Sequence, residues 1–200
     1  MGLSNTIPIT TPHYPTGWRD PKDHAKMSRF GARFRIAKSF QNLSLQTGIS
    51  PETADGYSKI IHVFLAYSGY EIFSKIFGLT AVKKRTETEK KYASGELIEG
   101  LLRKAHDCRG FVDFLKKHSG KDKLKQNIDN LYAGRIFSVI LLGESIRHCF
   151  AHGSLTPRAW KSDPLKVAEF CEVIADFLII YMDSEYSSRI ELYMSNKERS

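Results

Sequence analysis

Cysteine is scarce: Cys108, Cys149 and Cys171 are the three in 200 residues, with no Cys-x-x-Cys pair. An odd, widely spaced set argues against a disulfide framework and against a cysteine-built zinc site, and predicts reduced thiols in a cytoplasmic setting. No stretch approaches the roughly 18 apolar residues of a membrane span. The nearest, residues 167–182, is interrupted by Glu169, Glu172 and Asp176 and reads as a buried helix. Sustained two-residue alternation is missing, so little or no sheet is expected. There is no repeat of 20–50 residues. The opening MGLSNTIPITTPHYPTG lacks the basic start and apolar core of a signal peptide. Gly2 and Thr6 fit the short myristoylation pattern, but no polybasic stretch follows to give a second anchoring signal, so no membrane partner is expected.

What the chain has is apolar content and positive charge. Hydrophobic residues make up 42% and aromatics 12%, enough for a real core and too much for global disorder. The length suits one domain. Thirty Lys and Arg against 22 Asp and Glu leave a net charge of +8, which favours polyanionic partners such as RNA or DNA.

Residues 1–18, rich in Thr, Pro and Gly, read as a mobile N-terminal arm, and residues 19–195 as one all-α bundle of about five helices. A first helix is expected over 20–46, with Met27, Phe30, Phe34 and Ala37 as its apolar stripe. Ser50-Pro51 opens a second that runs to Gly78. The charged run VKKRTETEKKY, 82–92, reads as an exposed connection. Ser94 caps a third helical segment extending as far as Leu115, followed by a loop at HSGKDK. Residues 124–131 and 136–151 are helical, and Ser162-Asp163-Pro164 starts the last helix.

One segment concentrates chemistry: GESIRHCFAHGSLTP, 143–157. With a helix to His152 and Gly153 in the left-handed position, His148 and His152 stand one turn apart at a C-terminal end. The end carbonyls favour a protonated imidazole while Arg147 opposes it, so a histidine here can titrate near neutrality. Glu144, three residues before Arg147 and four before His148, can orient either. Three readings fit. The first is a plain helix terminus with Arg147 paired to Glu144. The second is a metal site in which His148 and His152 join Cys149 or the His106-Asp107-Cys108 cluster, although a histidine pair alone is short of the usual three or four ligands. The third is phosphodiester chemistry on RNA, where arginine, histidine and a basic surface suffice with no metal or other cofactor.

RHCFAHG, 147–153, resembles the Arg-x4-His signature of the HEPN superfamily of helical domains. The family's arginine matches Arg147, its following polar residue His148, its histidine His152, and the small residues around that histidine Ala151 and Gly153. The resemblance extends over about residues 50–185, with the motif lying before the last helix as in the family. It implies a metal-independent endoribonuclease acting on single-stranded RNA, commonly as a homodimer with facing motifs. Arg147 would bind the scissile phosphate, His152 would move protons for attack by the ribose 2′-OH, and His148 would support it or touch substrate. Many such proteins work in toxin–antitoxin or antiviral defence, which implies a neutralising protein partner. A non-catalytic helical module binding RNA, a nucleotide or a protein is the alternative.

Elsewhere, Lys22, Lys26, Arg29 and Arg33 recur at four, three and four residues and form one basic ridge, a candidate RNA contact or a solvated face. Lys116, Lys117, Lys121, Lys123 and Lys125 could form a second basic rim. Gly143, one turn before Arg147, suits a close helix approach, at a dimer seam or inside one bundle.

Overall fold

The computed structural model describes residues 21–44 and 48–198. The expected arm, with His13, falls outside them. Among the described residues the fold is all-α with no strand, as expected. The helices are α1 (Pro21–Ser39), α2 (Pro51–Ile76), α3 (Val82–Lys90), α4 (Gly95–Asp107), α5 (Arg109–His118), α6 (Asp122–Tyr132), α7 (Val139–Ala151) and α8 (Pro164–Glu198). A short 3-10 turn, Ala159–Lys161, lies between the last two. About five helices was therefore an undercount. No helix among the described residues is long and apolar enough to cross a membrane.

Helix starts follow local chemistry. The Ser50 and Ser94 side chains accept the backbone N–H groups of Thr53 and Leu97, capping α2 and α4. Asp163 Oδ1 accepts Leu165 N–H at 3.0 Å before α8, with Pro164 as the first helical residue. Buried faces follow period: Met27, Phe30, Phe34 and Ala37 line the inner side of α1. The core is centred where α8 lies along α2, with Phe73, Tyr181, Phe111 and Phe170 fully buried. Tyr181 sits edge-on to Tyr92, Tyr70 and Phe73 at 5.4–6.1 Å between ring centroids. α1 and α7 also pack against α2.

Four boundaries differ from expectation, each through a tertiary contact. α1 ends at Ser39 rather than Gln46, which is outside the described residues. At its end Ala37 O meets His62 Nε2 of α2 at 3.0 Å, and the chain beyond is drawn to α2 as Leu43 N–H donates to Ser58 Oγ. Most of the run 82–92 is the helix α3, Val82–Lys90, and not an exposed connection, because Thr88 and Glu89 are buried on its inner face. The segment from Ser94 breaks at Cys108 (φ −114°, ψ 38°) into α4 and α5, which turns Phe111, Val112 and Leu115 into the core. α7 starts at Val139 rather than Ile136, since the Asn127 amide holds both backbone groups of Ser138, at 2.9 and 2.8 Å.

Candidate functional site

α7 is fastened at both ends, which fixes where its last two turns point. At the N-terminus Glu89 from α3 accepts Ser138 Oγ–H at 2.7 Å and Ile140 N–H at 3.1 Å. Burial pushes this carboxyl above its ordinary value, against the hydrogen bonds from Ser138 and Ile140. At the C-terminus Gly153 takes φ +70°, its N–H bonds Phe150 O, and Ser154 N–H bonds Cys149 O. That paired closure through a left-handed residue is the Schellman motif, and it leaves His152 exposed as the C-cap, just past the last helical residue Ala151.

Successive helical residues are about 100° apart, so Arg147, Ala151, Glu144, His148 and His152 sweep one arc of roughly 140° in that order. Arg147 stands at one margin and His152 at the other. Arg147 faces α2: its Nη2 lies 3.4 Å from Glu71 Oε2, its side chain is 36% exposed, and its Nε is buried without a hydrogen-bond partner. It does not pair with Glu144. Glu144 is held instead by Lys121 and Lys123, each at 2.9 Å, from the N-cap and first turn of α6. Burial raises the Glu144 carboxyl, but the hydrogen bonds and charges of Lys123 and Lys121 outweigh it and leave the carboxyl below its ordinary value.

The two imidazoles meet edge to face, with ring centroids 4.5 Å apart. His148 also lies against the loop after α5, where a Cβ on Gly120 would stand 3.5 Å from its Nε2. Burial, the neighbouring His152, and the charges of Lys121 and Arg147 lower the His148 pKa, with Glu144 alone opposing. His148 is therefore neutral at pH 7 and able to accept a proton. The exposed end of α7 thus carries a guanidinium at one edge, imidazoles at the other and a neutralised carboxylate between them.

The basic ridge reaches the same neighbourhood. Lys26, Arg29 and Arg33 are exposed, and Arg33 Nη1 donates to Ser68 O on α2 at 3.3 Å. Ser68 is three residues from Glu71, so Arg33 and Arg147 approach α2 from α1 and α7 within one turn of each other. Lys22 belongs to α1, and its side chain lies outside the described residues. In the second rim Lys116 pairs with Asp129, Lys125 with Asp122 at 3.5 Å, and Lys121 and Lys123 with Glu144. Gly143 is buried inside the bundle, where a Cβ would meet Leu178, Tyr67 and Ile174 at 3.1–3.6 Å. It thus serves packing within one chain.

Cys149 is buried, and burial pushes its thiol up to about 11. Among the described residues no group of three His, Cys, Asp or Glu side chains could hold a metal ion. A cavity of about 460 Å³ lies at the opposite end of α7, between α3 and the chain leading into Ser138. No protein-family model, curated protein or solved structure matches the chain. Glu71 was not foreseen as the partner of Arg147: the two are 76 positions apart, and nothing local marks a carboxylate on α2 for that role.

Proposed function

We propose that this chain is a metal-independent endoribonuclease of the HEPN type, cutting single-stranded RNA in the cytoplasm, with Arg147 and His152 as its catalytic residues. The observation that carries this reading is that half-exposed Arg147 and exposed His152 share one arc at the end of α7, with Arg147 not sealed against Glu144. The guanidinium offers a planar fork to the non-bridging oxygens of a phosphodiester. His152 takes the proton of the 2′-OH as its oxygen attacks phosphorus. The bond from phosphorus to the 5′-oxygen breaks, and that oxygen takes a proton from the imidazolium so formed. The products are a 2′,3′-cyclic phosphate and a 5′-OH end, so a DNA strand is bound but not cut.

Neutral His148, stacked edge to face on His152, keeps a second proton acceptor beside the first. Arg147 and His152 flank the arc from opposite margins, so a phosphate in contact with both must lie across the helix end. A second copy facing this one across the arc would bring two such sets to one cleft, which is why a homodimer belongs to the reading. A role in toxin–antitoxin or antiviral defence, with a neutralising protein partner, follows from the HEPN resemblance alone.

RNA cleavage in EDTA tests it, with wild type, Arg147→Ala and His152→Ala. Each substitution should reduce turnover by about 100-fold or more. Wild-type rates in either variant would remove the site, and loss of wild-type activity with EDTA would replace it by a metal reaction. The Glu71–Arg147 ion pair favours a second reading, a non-catalytic RNA-binding module, which predicts RNA retained without turnover.

A further inference from the structure

Beside the helix end, an exposed aromatic cluster is built from two separate pieces of chain. On α5, Phe114 and His118 stack with ring centroids 4.2 Å apart at 25°. Trp160, from the short turn before α8, stands edge-on to both, 6.0 Å from Phe114 and 6.5 Å from His118. It is 49% exposed, a large apolar surface to leave in water, and the Lys117 ammonium sits 5.4 Å from its ring centroid.

The backbone that presents it is held in an unfavourable shape. Trp160 has φ 48° and ψ 43°, and Lys161 has φ 63°, a left-handed conformation at two consecutive residues that are not glycine. Such strain persists where surrounding contacts over-determine it, and it gathers at binding sites. Here the contacts are visible: Ser162 Oγ donates to Ala159 O at 2.8 Å, and the Trp160 carbonyl lies against Gly110, where a Cβ would come within 2.7 Å of it. α5 and the turn are therefore locked together with the indole pointing outward.

Position ties the cluster to the candidate site. His118 is two residues before Gly120, which lies against His148, and three before Lys121, which holds Glu144. Two residues of chain span at most about 7 Å. The surroundings are cationic, with Lys117, Lys121, Arg158 and Lys161 all exposed. Aromatic faces among cations suit an unstacked nucleobase on a polyanionic strand, whereas a duplex keeps its bases stacked out of reach.

We infer that Trp160, with His118 and Phe114, forms a stacking ledge for one base of single-stranded RNA next to the Arg147/His152 site. This rests on the endoribonuclease reading for the substrate class, and it adds the residues that grip a base beside the cleaved bond. Trp160 is a binding residue in this account.

The test uses the full chain and a single-stranded RNA oligomer with 2′-O-methyl at every ribose, so that it cannot be cut, beside an abasic oligomer of equal length and charge. Binding of the base-bearing oligomer should quench tryptophan fluorescence in wild type. The same addition to Trp160→Phe, which retains Trp18, should give little quenching. Trp160→Ala should weaken that oligomer about tenfold or more, Trp160→Phe only a few-fold, and neither should change affinity for the abasic strand. His118→Ala, which leaves the strained turn in place, should weaken base-bearing RNA in the same selective way. No quenching in wild type, or equal affinities of wild type and Trp160→Ala for the base-bearing strand, would overturn the ledge. If the ledge behaves as expected but unmodified RNA is never cleaved, the ledge stands and the nuclease reading falls. If neither oligomer binds wild type, both fall.

Discussion

The carboxylate of Glu89 is the sharpest place to perturb the frame that aims α7. It is 5% exposed, accepts Ser138 Oγ–H at 2.7 Å and Ile140 N–H at 3.1 Å, and so satisfies a half-buried hydroxyl and a fully buried backbone donor at a helix start. Glu89→Ala strands the Ile140 N–H and the Ser138 hydroxyl and leaves a void. At about 1–3 kcal/mol for the buried unsatisfied Ile140 N–H, with the void and the lost Ser138 bond adding to it, the combined cost is about 3 kcal/mol. For a chain of this length that lowers the midpoint of thermal unfolding by on the order of 10 °C. Glu89→Gln keeps an oxygen for Ile140 and turns its amide N–H toward the Ser138 hydroxyl, so it should cost about 1 kcal/mol.

The pH dependence separates the two effects further. Burial raises the folded-state pKa of Glu89 above its ordinary 4.5, so the protonated form is the one the fold prefers. Its contribution is present below the ordinary value and is lost as pH rises through the folded value. Chemical unfolding of wild type and Glu89→Gln from pH 4.5 upward should show wild type losing stability relative to the variant across that window. An Ala variant within about 0.5 kcal/mol of wild type, or a Gln variant as damaged as the Ala one, would refute the argument.

Three further outcomes are expected. Burial holds the His62 imidazole below its ordinary 6.5, so its contribution is complete above that value and is lost as pH falls. Unfolding between pH 7.5 and 5 should flatten in His62→Gln, and an unchanged slope would discount the buried ring. Gly56→Ala places a Cβ 2.5 Å from Pro157 Cβ and 3.2 Å from Pro164 O, and the overpacking should exceed the helix-propensity gain of about 1 kcal/mol. Calorimetry should show a net loss of about 1–3 kcal/mol, and a more stable variant would mean the 157–164 segment yields freely. Burial pushes the Cys149 and Cys108 thiols up to about 11 and about 12, so at pH 8 both should react with a thiol reagent far more slowly folded than in denaturant. Fast labelling of either in the native chain would contradict its placement.

Features that depend on neighbours in sequence were legible. Ser50, Ser94 and Gly153 act where the residue pattern places them, because a cap or a left-handed stop is settled within a few residues. The all-α class and the inner face of α1 follow from period in the same way. Features that depend on distant partners were not legible. The charge of residues 82–92 concealed Glu89, whose role exists only because Ser138 and Ile140 come to meet it. The break at Cys108 is set by packing around α5, and no strong breaker marks it. At the candidate site, the positions of Arg147, His148 and His152 could be read from spacing, but their company could not. Glu71 for Arg147, two lysines for Glu144 and the Trp160 cluster beyond Gly120 are all products of tertiary packing.

The contact between Gly110 and the carbonyl of Trp160 makes two positions fifty residues apart answerable to one another. A lineage that acquires any side chain at 110 must rebuild the turn at 159–161, and with it the direction of the indole. The pair therefore works as a written marker: glycine at the first position together with an aromatic at the second would identify, in a bare sequence, chains that keep the same outward-facing ring.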